Sequence, residues 1–309
     1  MEIRNVVIVG AGLMGKGIAQ VFSSCGDLRI SIYDVKGADV LGAIRENMKQ
    51  LEKHGILKAS EVEERMGRMS FTADFDAPCF AEADFIEEAV FEDMQLKQDL
   101  FKQLEEKCRK DTIFATNSSV MSPTEIAAKI THKERLVGTH FWNPAHLIPL
   151  VEVVKSNYTS DEVAQVTLKL LEKAGKVPVL CKKDVPGFIG NRLQHALWRE
   201  AFYLLENDIA DADTIDKAVK YSFGLRLPQL GPMENTDMVG VDLVYNIHEY
   251  LFKYLDASQK SSPVLQKLKD QGALGFKTDG KGVRQWTPEQ IAKSRSDLNE
   301  YLIKMIYKK

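Results

Sequence analysis

Through the first half of the chain, short apolar runs alternate with stretches whose apolar positions recur at helical spacing. The runs fall at residues 5–9, 28–33, 84–87, 112–115, 136–141 and 150–154, and the helical stretches at 14–24, 41–54, 94–108 and 161–174. Such alternation predicts a mainly parallel sheet covered on both faces by helices, an α/β doubly wound domain. Residues 41–69 are charged and heptad-like, which fits either a projecting helical hairpin or a solvated helix pair.

After the apolar run 177–181, the segment Lys182-Lys183-Asp184-Val185-Pro186-Gly187 is polar and ends in a Pro-Gly breaker. Beyond it the period changes. Residues 188–206, 213–223, 236–254 and 288–306 all carry the helical repeat, with little strand signal. A boundary near residue 184 is therefore expected, with a first domain over 1–184 and an all-α domain over 185–309. The large apolar faces of the second predict a homodimer built through it.

Composition narrows the partners. With 309 residues and 44% hydrophobic positions the chain can bury a large core, and its net charge of -3 comes without any long basic run. Nucleic acid and anionic membrane are excluded as expected partners, because both need clustered Lys and Arg. No run of about twenty apolar residues exists to span a bilayer. The apolar stretch 6–22 after Arg4 imitates a signal peptide, but four glycines and Lys16 interrupt it. Four widely spaced cysteines without a C-x-x-C pair fit a reducing cytoplasm. No set of His, Cys and acidic residues has metal-ligand spacing, so no metal is expected.

The chemistry begins at Gly10-Ala11-Gly12-Leu13-Met14-Gly15. This G-x-G-x-x-G follows a strand run directly and opens a helical pattern. Gly10 allows the tight turn, Gly12 lets a pyrophosphate approach the backbone, and Gly15 lets helix pack on strand. Asp34 ends the next strand run, where a carboxylate accepts from ribose hydroxyls and repels a 2′-phosphate. The expected cofactor is NAD rather than NADP.

A second constellation is His140-Phe141-Trp142-Asn143-Pro144, followed by Leu150-Val151-Glu152-Val153. Oxidising an alcohol needs a base for the hydroxyl proton, and histidine suits this near neutral pH. A carboxylate on its other nitrogen would fix the tautomer and stabilise the imidazolium. Spacing alone does not separate this from a structural histidine in a strand.

Together with Pro186-Gly187-Phe188-Ile189-x-Asn191-Arg192, these motifs resemble the L-3-hydroxyacyl-CoA dehydrogenase superfamily over essentially the whole chain. The resemblance implies a Rossmann-type domain, a helical dimerising domain and a place in fatty acid metabolism. It implies His140 as general base, Glu152 as its orienting partner, and Ser119 and Asn191 as contacts to the substrate oxygen. It also implies that Leu13, Met14, Glu92, Lys97, Ser119, Asn143 and Lys277 join the glycines and Asp34 around the cofactor. Residue by residue, plainer readings exist: Ser119 as a helix cap, Lys97 as a solvated lysine, Asn191 as a first-turn polar residue.

The substrate is less sharply marked. The superfamily includes enzymes of short-chain 3-hydroxyacyl-CoA, such as 3-hydroxybutyryl-CoA, and enzymes of free small hydroxy acids of the gulonate, carnitine or pyridine carboxylate type. Asn47 and His54 stand where acyl-CoA members carry a serine and a lysine, although Lys49 and Lys53 lie close by. Pro149 resembles the small-acid branch, whereas 235–242 and 274–278 resemble bacterial 3-hydroxybutyryl-CoA dehydrogenases. The CoA thioester is the expectation and the free acid the alternative. His146 could add a hydrogen bond or positive charge for a substrate carboxylate, or could be a loop histidine in water. A non-catalytic dinucleotide-binding structural protein would be marked by loss of His140 or Glu152, and both are present.

Overall fold

The computed structural model describes residues 1–37 and 39–307, and the chain in it divides into two compact units. The first runs from Met1 to Gly190 and includes the C-terminal residues from Leu298 onward; the second is Asn191–Asp297.

Eight strands of the first unit form one sheet: β1 (Asn5–Val9), β2 (Arg29–Tyr33), β3 (Met69–Thr72), β4 (Phe85–Glu88), β5 (Ile113–Thr116), β6 (Leu136–Phe141), β7 (Leu150–Lys155) and β8 (Val177–Cys181). Their order is β3-β2-β1-β4-β5-β6-β7-β8. The first six are parallel, and β7 turns back antiparallel to β6 with β8 parallel to it. The order 3-2-1-4-5-6 reverses direction at β1 and β4, and in doubly wound sheets the ligand crevice opens there, beyond the strands' carboxyl ends.

Helices cover both faces, because strands such as Val6–Val9 are apolar on both. Helices α1 (Leu13–Phe22), α2 (Val40–Lys53) and α3 (Ala59–Gly67) come first, then the short α4 (Cys79–Glu82), α5 (Met94–Lys107), the short α6 (Pro123–Ile126) and α7 (Asp161–Lys173). One core gathers Ile18 and Phe22 of α1, Ile44 and Met48 of α2, and Leu171 of α7; a second gathers Phe80, Phe101, Leu104 and Ile126, and a small third Val154, Cys181 and Phe188. The charged stretch 41–69 does not project: α2 and α3 bury Ile44, Met48, Val62 and Met66 in the main core. Its last residue opens β3, which the sequence pattern did not mark. Four residues with a mixed pattern at a sheet edge leave too little period to detect.

The second unit is helical, with α8 (Gly190–Glu206) leading into it, then α9 (Ala212–Lys220), α10 (Phe223–Arg226), α11 (Pro232–Val239), α12 (Val241–Leu251) and α13 (Pro263–Asp270). The final helix, α14 (Pro288–Tyr307), ends in the first unit, where Ile303 is buried in the main core. The continuous helix expected over 236–254 is two helices, because Gly240 takes φ +103° and ends the first. No helix from α8 to α13 contains a buried residue. Leu193, Trp198, Tyr221, Leu225, Met233 and Met238 are all exposed.

One buried group in the sheet is out of keeping with its surroundings. Glu87 of β4 is fully buried, flanked in register by Ile8 and Ala115. The Thr139 hydroxyl donates to its Oε1 at 2.6 Å, while its Oε2 has no partner among the described residues. Burial, together with the neighbouring Glu88 charge, holds this carboxyl well above the usual carboxylate range despite the Thr139 bond. The folded protein therefore keeps a proton that the unfolded chain has already released. That contribution to stability is full below the ordinary carboxylate pKa and is lost as pH rises through the folded value. Glu87→Gln removes the titration while keeping the shape. Its stability relative to the parent, followed by thermal denaturation, should rise with pH above the ordinary carboxylate range, by about 1.4 kcal/mol per pH unit until the folded pKa is passed. A pH-independent difference in thermal denaturation would show that Glu87 is ionised in the fold.

Candidate active site

The turn after β1 is shaped for close backbone approach. Gly10 has φ +103°, and a Cβ there would lie 2.6 Å from the Ala89 carbonyl oxygen; one on Gly15 would lie 1.8 Å from the Gly10 oxygen. A Cβ on Gly12 would meet nothing within 4 Å, so this glycine faces open space. Helices α2, α5 and α7 receive side-chain caps from Asp39, Asp93 and Ser160, but α1 has neither a side-chain cap nor an acidic residue in its first turn. Its first amides and the positive end of its dipole are left for an anion. Asp34 follows β2 and accepts from the Ala11 amide at 2.7 Å and the Lys36 amide at 2.8 Å. This fixes its carboxylate against the glycine turn. Leu13, Val35, Phe91 and Val120 stand exposed just after β1, β2, β4 and β5, while Met14 is half-buried. An uncapped helix, an open glycine, a carboxylate after β2 and an apolar rim fit a dinucleotide.

The antiparallel pairing of β6 with β7 sets His140 directly opposite Glu152. Facing residues in such a pair put their side chains on one face with Cβ atoms about 5 Å apart, so contact follows from register. His140 Nδ1 lies 2.7 Å from Glu152 Oε2. A carboxylate only accepts, so Nδ1 carries the proton and donates, leaving Nε2 as the basic atom. Glu152 is fully buried, and its other oxygen accepts from the Ile189 and Gly190 amides at 2.8 and 2.9 Å. Burial alone would raise its pKa, but His140 and these amides hold it below the usual carboxylate range. The Trp142 indole N–H also donates to Oε2, at 3.3 Å. The imidazole is flanked by Trp142 and Phe188, with ring centroids at 5.4 and 5.7 Å.

Beside this pair, a second polar network braces the loop after β5. Glu88, fully buried, accepts from Lys97 Nζ at 2.6 Å, the Thr116 hydroxyl at 2.6 Å and the Val90 amide at 2.8 Å. Lys97 Nζ is 3.7 Å from Glu92, whose carboxylate accepts from the Ser118 hydroxyl and the Ser119 amide, both at 2.8 Å. Lys97 is thus buried beside the partly exposed Glu92 rather than solvated, and Glu92 holds the backbone of Ser119. Ser119 does not cap the following helix; Ser122 does. Glu88, absent from the residues picked out in the sequence, lacked any signal there beyond an acid in a strand run.

Asn143 is exposed and precedes a cis bond to Pro144. Asn191, in the first turn of α8, and the exposed Lys277, in a turn between Gly275 and Gly280, belong to the second unit. His146 is half-buried, and burial, with the Lys176 charge nearby, pushes its imidazole down to about 4. Lys176 donates to the Ala145 and Ile148 carbonyls, and burial pushes its own value down to about 8. On α2, Lys49 is exposed and pairs with Glu46 at 2.7 Å. No metal-binding group of His, Cys, Asp or Glu occurs among the described residues.

Known proteins match this chain along most of its length. Residues 5–185 match the family described as 3-hydroxyacyl-CoA dehydrogenase, NAD binding domain, and residues 187–286 match its C-terminal domain. The 5-formyl-3-hydroxy-2-methylpyridine 4-carboxylate 5-dehydrogenase of Mesorhizobium japonicum is 33% identical over 93% of this chain and 92% of its own. A probable 3-hydroxybutyryl-CoA dehydrogenase of Deinococcus radiodurans is 36% identical over 88% of this chain and 96% of its own. A crystal structure of 5-formyl-3-hydroxy-2-methylpyridine 4-carboxylic acid 5-dehydrogenase, described as an NAD+-dependent dismutase, superposes with a TM-score of 0.88. It is 30% identical and covers 98% of this chain and 97% of that one. With a Rossmann-type NAD-binding domain followed by the family's helical C-terminal domain, the chain belongs to the NAD-dependent 3-hydroxyacyl-CoA dehydrogenases.

Proposed function

We propose that the protein oxidises the 3-hydroxyl of a short-chain 3-hydroxyacyl-CoA, such as 3-hydroxybutyryl-CoA, to the 3-oxo product. The observation that carries the chemistry is the buried 2.7 Å contact between His140 Nδ1 and Glu152. NAD, when bound, accepts the hydride. His140 Nε2 takes the hydroxyl proton, and Glu152 compensates the charge that appears on the ring. Ser119 and Asn191 hold the substrate oxygen. Gly10, Gly12, Leu13, Met14 and Gly15 form the pyrophosphate turn, Asp34 takes the adenosine ribose hydroxyls, and Glu92, Lys97, Asn143 and Lys277 complete the cofactor contacts.

A second substrate reading has its own support. The pyridine-carboxylate enzyme's structure matches nearly the whole chain, and Pro149 occupies the position before Leu150-Val151-Glu152. A free small hydroxy acid or related alcohol is that alternative. The four thiols are free, and burial pushes all of them up, Cys108 to about 12. That supports a reducing cytoplasm, where they stay inert. No helix among the described residues is long and apolar enough to cross a membrane. Six helices without one buried residue support a homodimer through the second unit, since a face this apolar calls for cover.

His140→Gln should lower kcat by about two to four orders of magnitude while NADH binding, read by fluorescence titration, stays near the parent value. Undiminished turnover would remove His140 from the mechanism. A parallel NADH-linked assay should show acetoacetyl-CoA reduction outpacing oxidation of free 3-hydroxybutyrate, carnitine, L-gulonate and hydroxymethyl-pyridine carboxylates. Faster turnover of a free acid would transfer the assignment to the small-acid branch. Sedimentation equilibrium should give twice the chain mass at micromolar concentration; a stable monomer would refute the dimer.

A further inference from the structure

We propose that Trp142 is a positioning residue for proton transfer, its indole N–H sharing Glu152 Oε2 with His140 and so setting how firmly the pair holds a proton. The proposal rests on His140 as the base.

The geometry supplies the argument. An ionised carboxylate offers about four lone-pair sites. Here four donors take them: His140 Nδ1 at 2.7 Å and Trp142 Nε1 at 3.3 Å on Oε2, and the Ile189 and Gly190 amides at 2.8 and 2.9 Å on Oε1. Glu152 is fully buried, so every site given to one donor is withheld from another. The indole is itself held in place. A Cβ on Gly190 would lie 2.5 Å from Trp142 Cζ2, so the ring rests against the bare backbone of that glycine. Trp142 therefore cannot swing off Oε2 toward Gly190, and its edge faces the same oxygen that the imidazole uses.

Two donors on one oxygen compete. A neutral N–H on Oε2 stabilises the carboxylate charge and weakens that oxygen as an acceptor for the imidazolium N–H. Removing it leaves one site open in a buried place and strengthens the remaining bond to His140. The pair then binds its proton more tightly, wherever in the pair the proton resides. Glu152 also acts on the Cys181 thiol of β8. Burial, with the Glu152 and Asp184 charges, pushes that thiol up, so it stays neutral and adds no competing charge.

Trp142→Phe keeps an aromatic side chain and deletes the donor, together with part of the ring that rests on Gly190. The pH dependence of kcat/KM should be recorded in both directions with the fastest substrate of the panel above. Oxidation needs the pair unprotonated and reduction needs it protonated. The acid limb of oxidation and the alkaline limb of reduction should therefore both move up, by about half a pH unit. Lost packing alone would lower the plateaus without moving both limbs. Limbs that coincide with the parent's, with His140→Gln inactive, overturn the role of Trp142 and leave the base assignment standing. Turnover retained in His140→Gln overturns both. Should Trp142→Phe fail to fold, the indole N–H resonance of the parent protein with NADH decides. It should titrate with the midpoint of the rate profile, and a resonance indifferent to pH across that range overturns the proposal.

Discussion

The site depends on one register. In the antiparallel ladder between β6 and β7, His140 pairs with Glu152, and a slip of one residue would turn the carboxylate to the opposite face of the sheet. The six parallel strands build a crevice for a dinucleotide, but a seventh parallel strand would have brought its residues in from the far end. Reversing β7 delivers a carboxylate from near the start of that strand to the end of β6, where the base stands. The turn between them, with its cis Asn143–Pro144 bond, accomplishes the reversal in eight residues (142–149).

Charge placement follows the same economy. Polar side chains close the starts of α2, α5 and α7, whereas α1 begins on a bare glycine. Of these four, the helix whose amides an anion must reach is the one left open. Carboxylates beneath the crevice are treated differently according to their surroundings. Glu152 has four donors and stays ionised; Glu87 has one hydroxyl and an apolar bed, and keeps its proton. Glu88 is matched by the Lys97 ammonium. Three fully buried acids thus coexist because each meets the cost of desolvation in its own way.

Much of this was legible in the sequence, for identifiable reasons. Strands β1, β2, β4, β5, β6 and β7 lie where apolar runs end in turns, and α1, α5 and α7 where the helical period is clean. The glycine fingerprint was readable because its glycines answer to backbone demands: Gly10 and Gly15 show theirs as close approaches of 2.6 and 1.8 Å, and Gly12 faces open space. The His140–Glu152 pairing needed the strand direction, which no local pattern carries. Glu87, Glu88 and Trp142 were not singled out, since an acid or an indole within an apolar run looks like an imperfection until its partners are known. The lowered basicity of His146 was not legible, because burial is a tertiary fact. The split at Gly240 was available in principle, because a lone glycine inside a helical period weakens it.

Glu152 joins the imidazole on one side to the backbone at the start of α8 on the other, so its length matters as much as its charge. Aspartate carries the same charge on a stem shorter by one methylene and cannot reach both sets of donors from β7. The usual conservative exchange between the two acids is closed at this position. A designer moving this pair to another scaffold must therefore carry the start of the following helix with it, because β6, β7 and the turn between them would supply the carboxylate with only half of its partners.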